Sequence, residues 1–198
     1  MLSPTLLRTL FTGLRQTFDF SSIEEITLEA NPATFTSRTA QFYQDLGVTR
    51  VSLGVQSFLG KHLETLGREH SPMQAITSVH LLREASDLEV NIDLIFSIPS
   101  QSLLDWEDTL TQALALQPEH LSAYNLTYEE DTAFFQKFQS GDYKDDPGLN
   151  AEMFSLSQEI LTTAGYEHYE TSNYSLPGRR SRHNEGYWAG NDYLGLGP

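Results

Sequence analysis

Between Ile23 and Glu129 strand-like apolar runs alternate with helical ones four times, and this alternation restricts the fold more than any other feature. The strand-like runs are Ile23 to Ala30 "IEEITLEA", Arg50 to Phe58 "RVSLGVQSF", Glu89 to Pro99 "EVNIDLIFSIP" and Glu119 to Glu129 "EHLSAYNLTYE". Period-two alternation or β-branched content marks them as strands. Helical spacing lies between them: Ser37 to Leu46, closed by Gly47, then Lys61 to Leu66 with Pro72 to Ala85, then Leu103 to Leu116. The last should turn Trp106, Leu110, Ala113 and Leu114 inward. Strand–helix alternation of this kind predicts an α/β fold, a parallel sheet with helices outside it.

Before the first strand, Leu6, Leu7, Leu10, Phe11, Leu14 and Phe18 make one helical stripe, with Ser3 as its cap and Pro4 in its first turn. The arginines and missing acids of this stretch superficially resemble a transit peptide, but the stripe favours a packed helix. After Tyr128 the pattern changes. Residues 128–148 are polar and acidic, broken by Gly141 and Pro147. Leu149 to Ala164 is a further helix, with Met153, Leu156, Ile160 and Leu161 inward, and "GYEHYETSNYS" is a strand and turn. The remainder is expected to be irregular. The expected division is a partial barrel over 1–128 and a small α+β appendage over 129–198.

With 27 acidic against 12 basic side chains the net charge is −15. That disfavours nucleic acid and anionic membrane surfaces and suits a basic partner or a cationic cofactor. No apolar run is long enough for a transmembrane segment. The chain has no cysteine, which excludes disulfides and thiolate metal sites within it.

In parallel sheets ligands bind beyond the C-terminal ends of the strands. Glu29, Gln56, Asp93 and the segment from Asn125 to Glu129 occupy such places. Glu29 reads either as a solvated acid or as a carboxylate accepting from a ribose hydroxyl. Asp93, inside the apolar "NIDLIF", requires a partner. Arg68 is a surface residue or the clamp of a ligand carboxylate. His62, His70, His80, His120 and His168 lack metal spacing and are expected to be surface or hydrogen-bonded structural groups, and the acidic run 142–146 a solvated turn. "RHNEGYW", Arg182 to Trp188, brings together a histidine, an amide, a phenol and an indole. His183 and Tyr187, four apart, share a face in a helix or a strand. Imidazole or phenolate can hold iron and an indole can pack on a porphyrin, but a packed terminal segment would look the same.

Taken together, "LEANP", "RVSLGVQSF", "LGREHS", "NIDLIFSIPSQS", "EHLSAYNLTYEEDT", "YETSNYS" and "RHNEGYWAGNDYLGLGP" resemble, in order and over nearly the whole chain, the radical SAM proteins related to oxygen-independent coproporphyrinogen III oxidase, and within them the heme-chaperone branch. The resemblance implies a partial (β/α) barrel that binds S-adenosylmethionine through Glu29, Gln56, Arg68 and Asp93. It matches "HNEGYW" to the HNxxYW motif, implying heme contacts from His183, Asn184, Tyr187 and Trp188, with His183 the favoured ligand to heme iron. It further implies a cytoplasmic protein that hands heme to an acceptor protein, leaving peripheral membrane association open.

Three departures accompany it. The family's CxxxCxxC motif for a [4Fe-4S] cluster and its glycine-rich "GGGTP" strand end are absent, and "FSIPS" replaces the family's "GLPG". The expected explanation is a fragment whose parent protein carries the cluster cysteines and the first strands. Two further readings stand beside the chaperone: an oxidase-like radical enzyme of porphyrin biosynthesis, and a cluster-free interaction module.

Overall fold

The computed structural model describes residues 3–32 and 36–196. Helix α1 (Pro4–Thr17) begins as expected, with the Ser3 hydroxyl accepting from the Leu6 amide at 3.4 Å. Its apolar stripe is only partly used. Leu7 and Phe11 are buried, whereas Leu6, Leu10 and Phe18 remain exposed, because the helix meets the rest of the described chain along a narrow line.

Four parallel strands follow: β1 (Thr27–Ala30), β2 (Arg50–Gln56), β3 (Glu89–Phe96) and β4 (His120–Asn125). They are joined by α2 (Ser37–Asp45), the pair α3 (Gly60–Thr65) and α4 (Pro72–Ala85), and α5 (Leu103–Ala115). Each strand is shorter than its apolar run in the sequence. Glu24 and Glu25 precede β1, and the "SIP" after Phe96 is a loop.

The stretch after residue 128, expected as an appendage, continues the same sheet. Following α6 (Ala133–Gln139) and α7 (Pro147–Thr163), β5 (Glu167–His168) and β6 (Asn173–Ser175) add antiparallel strands, giving the order β1-β2-β3-β4-β6-β5. The polar, acidic stretch holds a helix that was not expected there, and a second helix corrects the expectation of irregular chain near the end. Thr132 caps α6, accepting from the Phe135 amide, and α8 (Arg182–Trp188) forms despite Gly186. The run 142–146 ends in Asp146, whose carboxylate caps α7 by accepting from the Gly148 and Leu149 amides.

The sheet has two unlike faces. Val51, Leu53, Val55, Val90, Ile92, Leu94, Phe96, Leu121 and Ala123 are buried in the hydrophobic core. With them in that core are Ala40 and Tyr43 of α2, Ala75, Val79 and Leu82 of α4, and Trp106, Leu110 and Ala113 of α5. Each fully buried Leu, Ile or Val there contributes roughly 1.5–3 kcal/mol. Trp106 satisfies its indole N–H against Ser157 Oγ of α7 at 2.9 Å, tying α7 to α5. The alternate positions of the same strands are mostly polar and face the other way.

Candidate functional site

Those alternate side chains line a trough of about 860 Å³. β1 supplies Thr27 and Glu29, β2 Arg50, Ser52, Gly54 and Gln56, β3 Asn91, Asp93 and Ile95, and β4 His120, Ser122 and Tyr124. Fully buried parallel strands are apolar on both faces. Here the period-two interruption by polar residues is the mark of a lined cavity.

Glu29, Gln56, Arg68 and Asp93 all border this one trough. Glu29 is next to last in β1 and Gln56 ends β2, but Asp93 lies mid-strand, three residues before the end of β3. Gln56 adopts φ 66°, beside a register shift between Leu53 and Gln56. Its amide occupies space left by Gly54, where a Cβ would stand 3.0 Å from Gln56 Nε2. Arg68 is exposed at the rim.

Asp93 has the partners its apolar surroundings demand. Ser52 Oγ donates to Oδ2 at 2.6 Å and Asn91 Nδ2 to Oδ1 at 2.8 Å. Burial raises its pKa; hydrogen bonds from Ser52, Ser122 and Asn91 act the other way, and the Glu29 charge adds to the rise. Below it, buried His120 contacts Asn91 Oδ1 at 2.6 Å and the Tyr169 hydroxyl at 2.7 Å. Burial, and secondly the Arg50 charge, press the His120 pKa down to about 3, so the ring is neutral.

The lower end of the trough is closed by Ser181, His183 and Asn184, at the N-terminal ends of the strands. The start of α8 is held by Glu25, whose carboxylate accepts from the Arg182 amide at 3.1 Å and the His183 amide at 3.3 Å. A carboxylate suits a helix N-terminus, where amides lack partners and the dipole is positive. Glu25 also pairs with buried Arg50 at 3.3 Å, and Arg50 pairs with Glu89 at 2.7 Å. Arg50 Nη2 donates to the Arg179 and Arg180 carbonyls, fastening the segment before α8 to the foot of β2.

His183 and Tyr187 do share a face, with ring centroids 4.9 Å apart and edge to face. Tyr187 and Trp188 stand outside the trough lining, 49% and 71% exposed. The motif is therefore divided: His183 and Asn184 border the cavity, Tyr187 and Trp188 face outward. His62 and His70 are buried structural groups; His70 Nε2 donates to the Val55 carbonyl at 3.0 Å.

Sequence reasoning missed Arg50, Ser52, Asn91, His120, Ser122 and Tyr169. The polar residues of β2 and β3 could have been found by stepping back two positions at a time from Gln56 and Asp93, which reaches Ser52, Arg50 and Asn91, and those of β4 by its own alternation, His120, Ser122, Tyr124. Tyr169, arriving from another part of the chain, could not. The "FSIPS" departure also acquires a reason for the family's glycines: Ser97 and Ser100 adopt φ 63° and 66°, the left-handed region glycine enters without strain.

Similarity to known proteins agrees with the geometry. The Radical SAM superfamily model matches residues 3–113. Heme chaperone HemW of Escherichia coli is 40% identical over 197 residues, covering 100% of this chain and 51% of that protein. Heme chaperone HemW of Lactococcus lactis is 35% identical over 198 residues, 100% of this chain and 52% of its own. The chain thus spans about half the length of the curated relatives it matches. Among solved structures, the radical SAM enzyme coproporphyrinogen III oxidase (HemN) of Escherichia coli superposes with a TM-score of 0.80 at 24% identity. That superposition covers 96% of this chain and 43% of the oxidase, and supports the shared fold.

Proposed function

We propose, from the premise that this chain belongs to the radical SAM superfamily, that it is the cofactor- and cargo-binding part of a heme chaperone of the HemW kind. One observation carries the reading: His183 and Asn184 of the HNxxYW motif border the same trough as Glu29, Gln56, Arg68 and Asp93.

S-adenosylmethionine fits the upper trough by its chemistry. It presents ribose hydroxyls that donate, an amino acid carboxylate, and a sulfonium cation. Glu29 is placed to accept from ribose, Arg68 to clamp the carboxylate at the rim, and Asp93 to offer fixed acceptor oxygens. When bound, S-adenosylmethionine supplies a cationic alkyl donor. The protein's part is to orient it in a cleft whose walls are already hydrogen-bonded. The [4Fe-4S] cluster does not fit these residues, because the sequence contains no cysteine thiolate to hold it.

Heme is the cargo, with His183 as ligand to iron, Asn184 beside it, Tyr187 backing the imidazole, and Trp188 offering an apolar plate. The receiver is a heme-acceptor protein, and the reading places the exchange in the cytoplasm. Among the described residues, no helix is long and apolar enough to cross a membrane.

An optical heme titration tests this. His183→Ala should change the heme absorption spectrum and weaken binding by about tenfold or more. Tyr187→Phe, which keeps the ring and removes the oxygen, should retain the spectrum. Trp188→Ala should weaken binding with little spectral change. A His183→Ala protein with unaltered spectrum and affinity would sink the ligand assignment.

A further inference from the structure

Asp93 sits at the end of a run of hydrogen bonds whose directions chemistry fixes one after another. The Asn91 amide nitrogen donates to Asp93 Oδ1, 2.8 Å away. The Asn91 carbonyl oxygen then faces His120 Nδ1 at 2.6 Å, so that nitrogen must carry the proton. His120 is neutral, which leaves Nε2 bare and able only to accept. The Tyr169 hydroxyl at 2.7 Å must therefore donate to it. Burial raises the Tyr169 pKa to about 12, which keeps that proton in place. The Tyr169 oxygen in turn accepts from the Ser181 amide at 3.4 Å, and the Asn184 side chain also bonds it. Ser181 caps α8 and Asn184 belongs to its first turn.

The chain of bonds thus runs from the start of α8, where the heme motif stands, across β6's side of the sheet to the carboxylate at the upper trough. Every donor points toward Asp93. Ser52, which accepts a hydrogen bond from the Asn91 amide at 2.6 Å, donates one through its hydroxyl to Asp93 Oδ2. Both carboxylate oxygens are thereby committed in direction before a ligand arrives.

We infer that Tyr169, His120 and Asn91 are positioning residues for Asp93, a one-way hydrogen-bond relay that holds its carboxylate as an acceptor for S-adenosylmethionine and ties its orientation to the seating of α8. The inference rests on Asp93 contacting S-adenosylmethionine. None of the three needs to touch the ligand. Removing the Tyr169 hydroxyl leaves His120 Nε2 buried without a donor. The ring is then no longer held to the Nδ1-protonated form that Asn91 requires.

The test is a double-mutant cycle read by calorimetric titration of the chain with S-adenosylmethionine. Tyr169→Phe should weaken binding about three- to tenfold, the range of one hydrogen bond. In the Asp93→Asn background the same change should cost less than about twofold, because the relay has lost its end point. A merely structural Tyr169 would give equal losses in both backgrounds, and that result overturns the relay. So does Asp93→Asn weakening binding while Tyr169→Phe does nothing. If the unsubstituted chain shows no saturable binding, or Asp93→Asn leaves affinity untouched, the site reading falls and the relay with it. A second measurement needs no variant. Long-range ¹⁵N correlation spectra at neutral pH should show His120 protonated at Nδ1 and bare at Nε2. The opposite tautomer, or a doubly protonated ring, overturns the inference.

Discussion

At the upper end of the trough Asp93 lies in the sheet with both oxygens held by Ser52 and Asn91, whereas α8 at the lower end buries none of its seven residues. The first region is built from alternate positions on three adjacent strands, so the backbone hydrogen bonds that make the sheet also set the distances between its polar side chains. The second is a short surface helix held at its beginning by one carboxylate, Glu25, which itself leans on Arg50. One end is organised by register, the other by a single polar anchor. The difference teaches where each fails: the interior through its protons, the surface helix through one side chain.

The interior should break first in acid, and this is the largest effect expected. His120 has its pKa depressed to about 3 by burial, so the unfolded chain binds that proton more readily. Its contribution to stability is whole above the unfolded value near pH 6.5 and is lost as pH falls toward 3, by about 4 kcal/mol in total. Urea denaturation at stepped pH should show this loss, and His120→Gln should flatten its share of it. Asp93 has the opposite sign: its pKa is raised, so its contribution is lost as pH rises through the folded value. An unchanged acid limb in His120→Gln would remove His120 from the account.

Breaking the anchor should cost somewhat less. Glu25→Ala removes one partner of buried Arg50, which keeps Glu89, and strips the α8 amides of their acceptor. A loss of about 3 kcal/mol is expected, the lower end for breaking a buried pair. Limited proteolysis should open the chain within 182–188. If stability falls but that segment stays protected, α8 is held by something other than Glu25.

The smallest change sharpens the comparison by tightening the upper end. Ser97→Gly and Ser100→Gly relieve left-handed backbone at φ 63° and 66°, and the first also removes a buried hydroxyl with no partner among the described residues. Each should stabilise by about 1 kcal/mol, Ser97→Gly more than Ser100→Gly. Thermal unfolding of the two variants checks both the sign and the order.

Strand–helix alternation made the α/β sheet and its outer helices legible, because periods of two and 3.6 are properties of neighbouring residues. Asp93 was legible as a partnered acid by the same local logic, since a lone carboxylate among Ile92, Leu94 and Ile95 is costly. The edges of the elements were not. Local pattern ran the strands past Phe96 and gave no helix to Ala133–Gln139 or to Arg182–Trp188, where caps from Thr132 and Ser181 outweigh a weak apolar pattern. Nor could pattern reveal that the trough has two ends, or that Glu25 meets the amides of Arg182 and His183, 157 and 158 positions away. The sequence by itself determined which residues are apolar at which period, and hence the class of fold and the polar face of each strand. Only the tertiary structure decided that β6 lies beside β4, bringing Tyr169 onto His120 and α8 beneath the sheet. Long-range pairing depends on how whole surfaces fit, and no window of neighbouring residues contains that information.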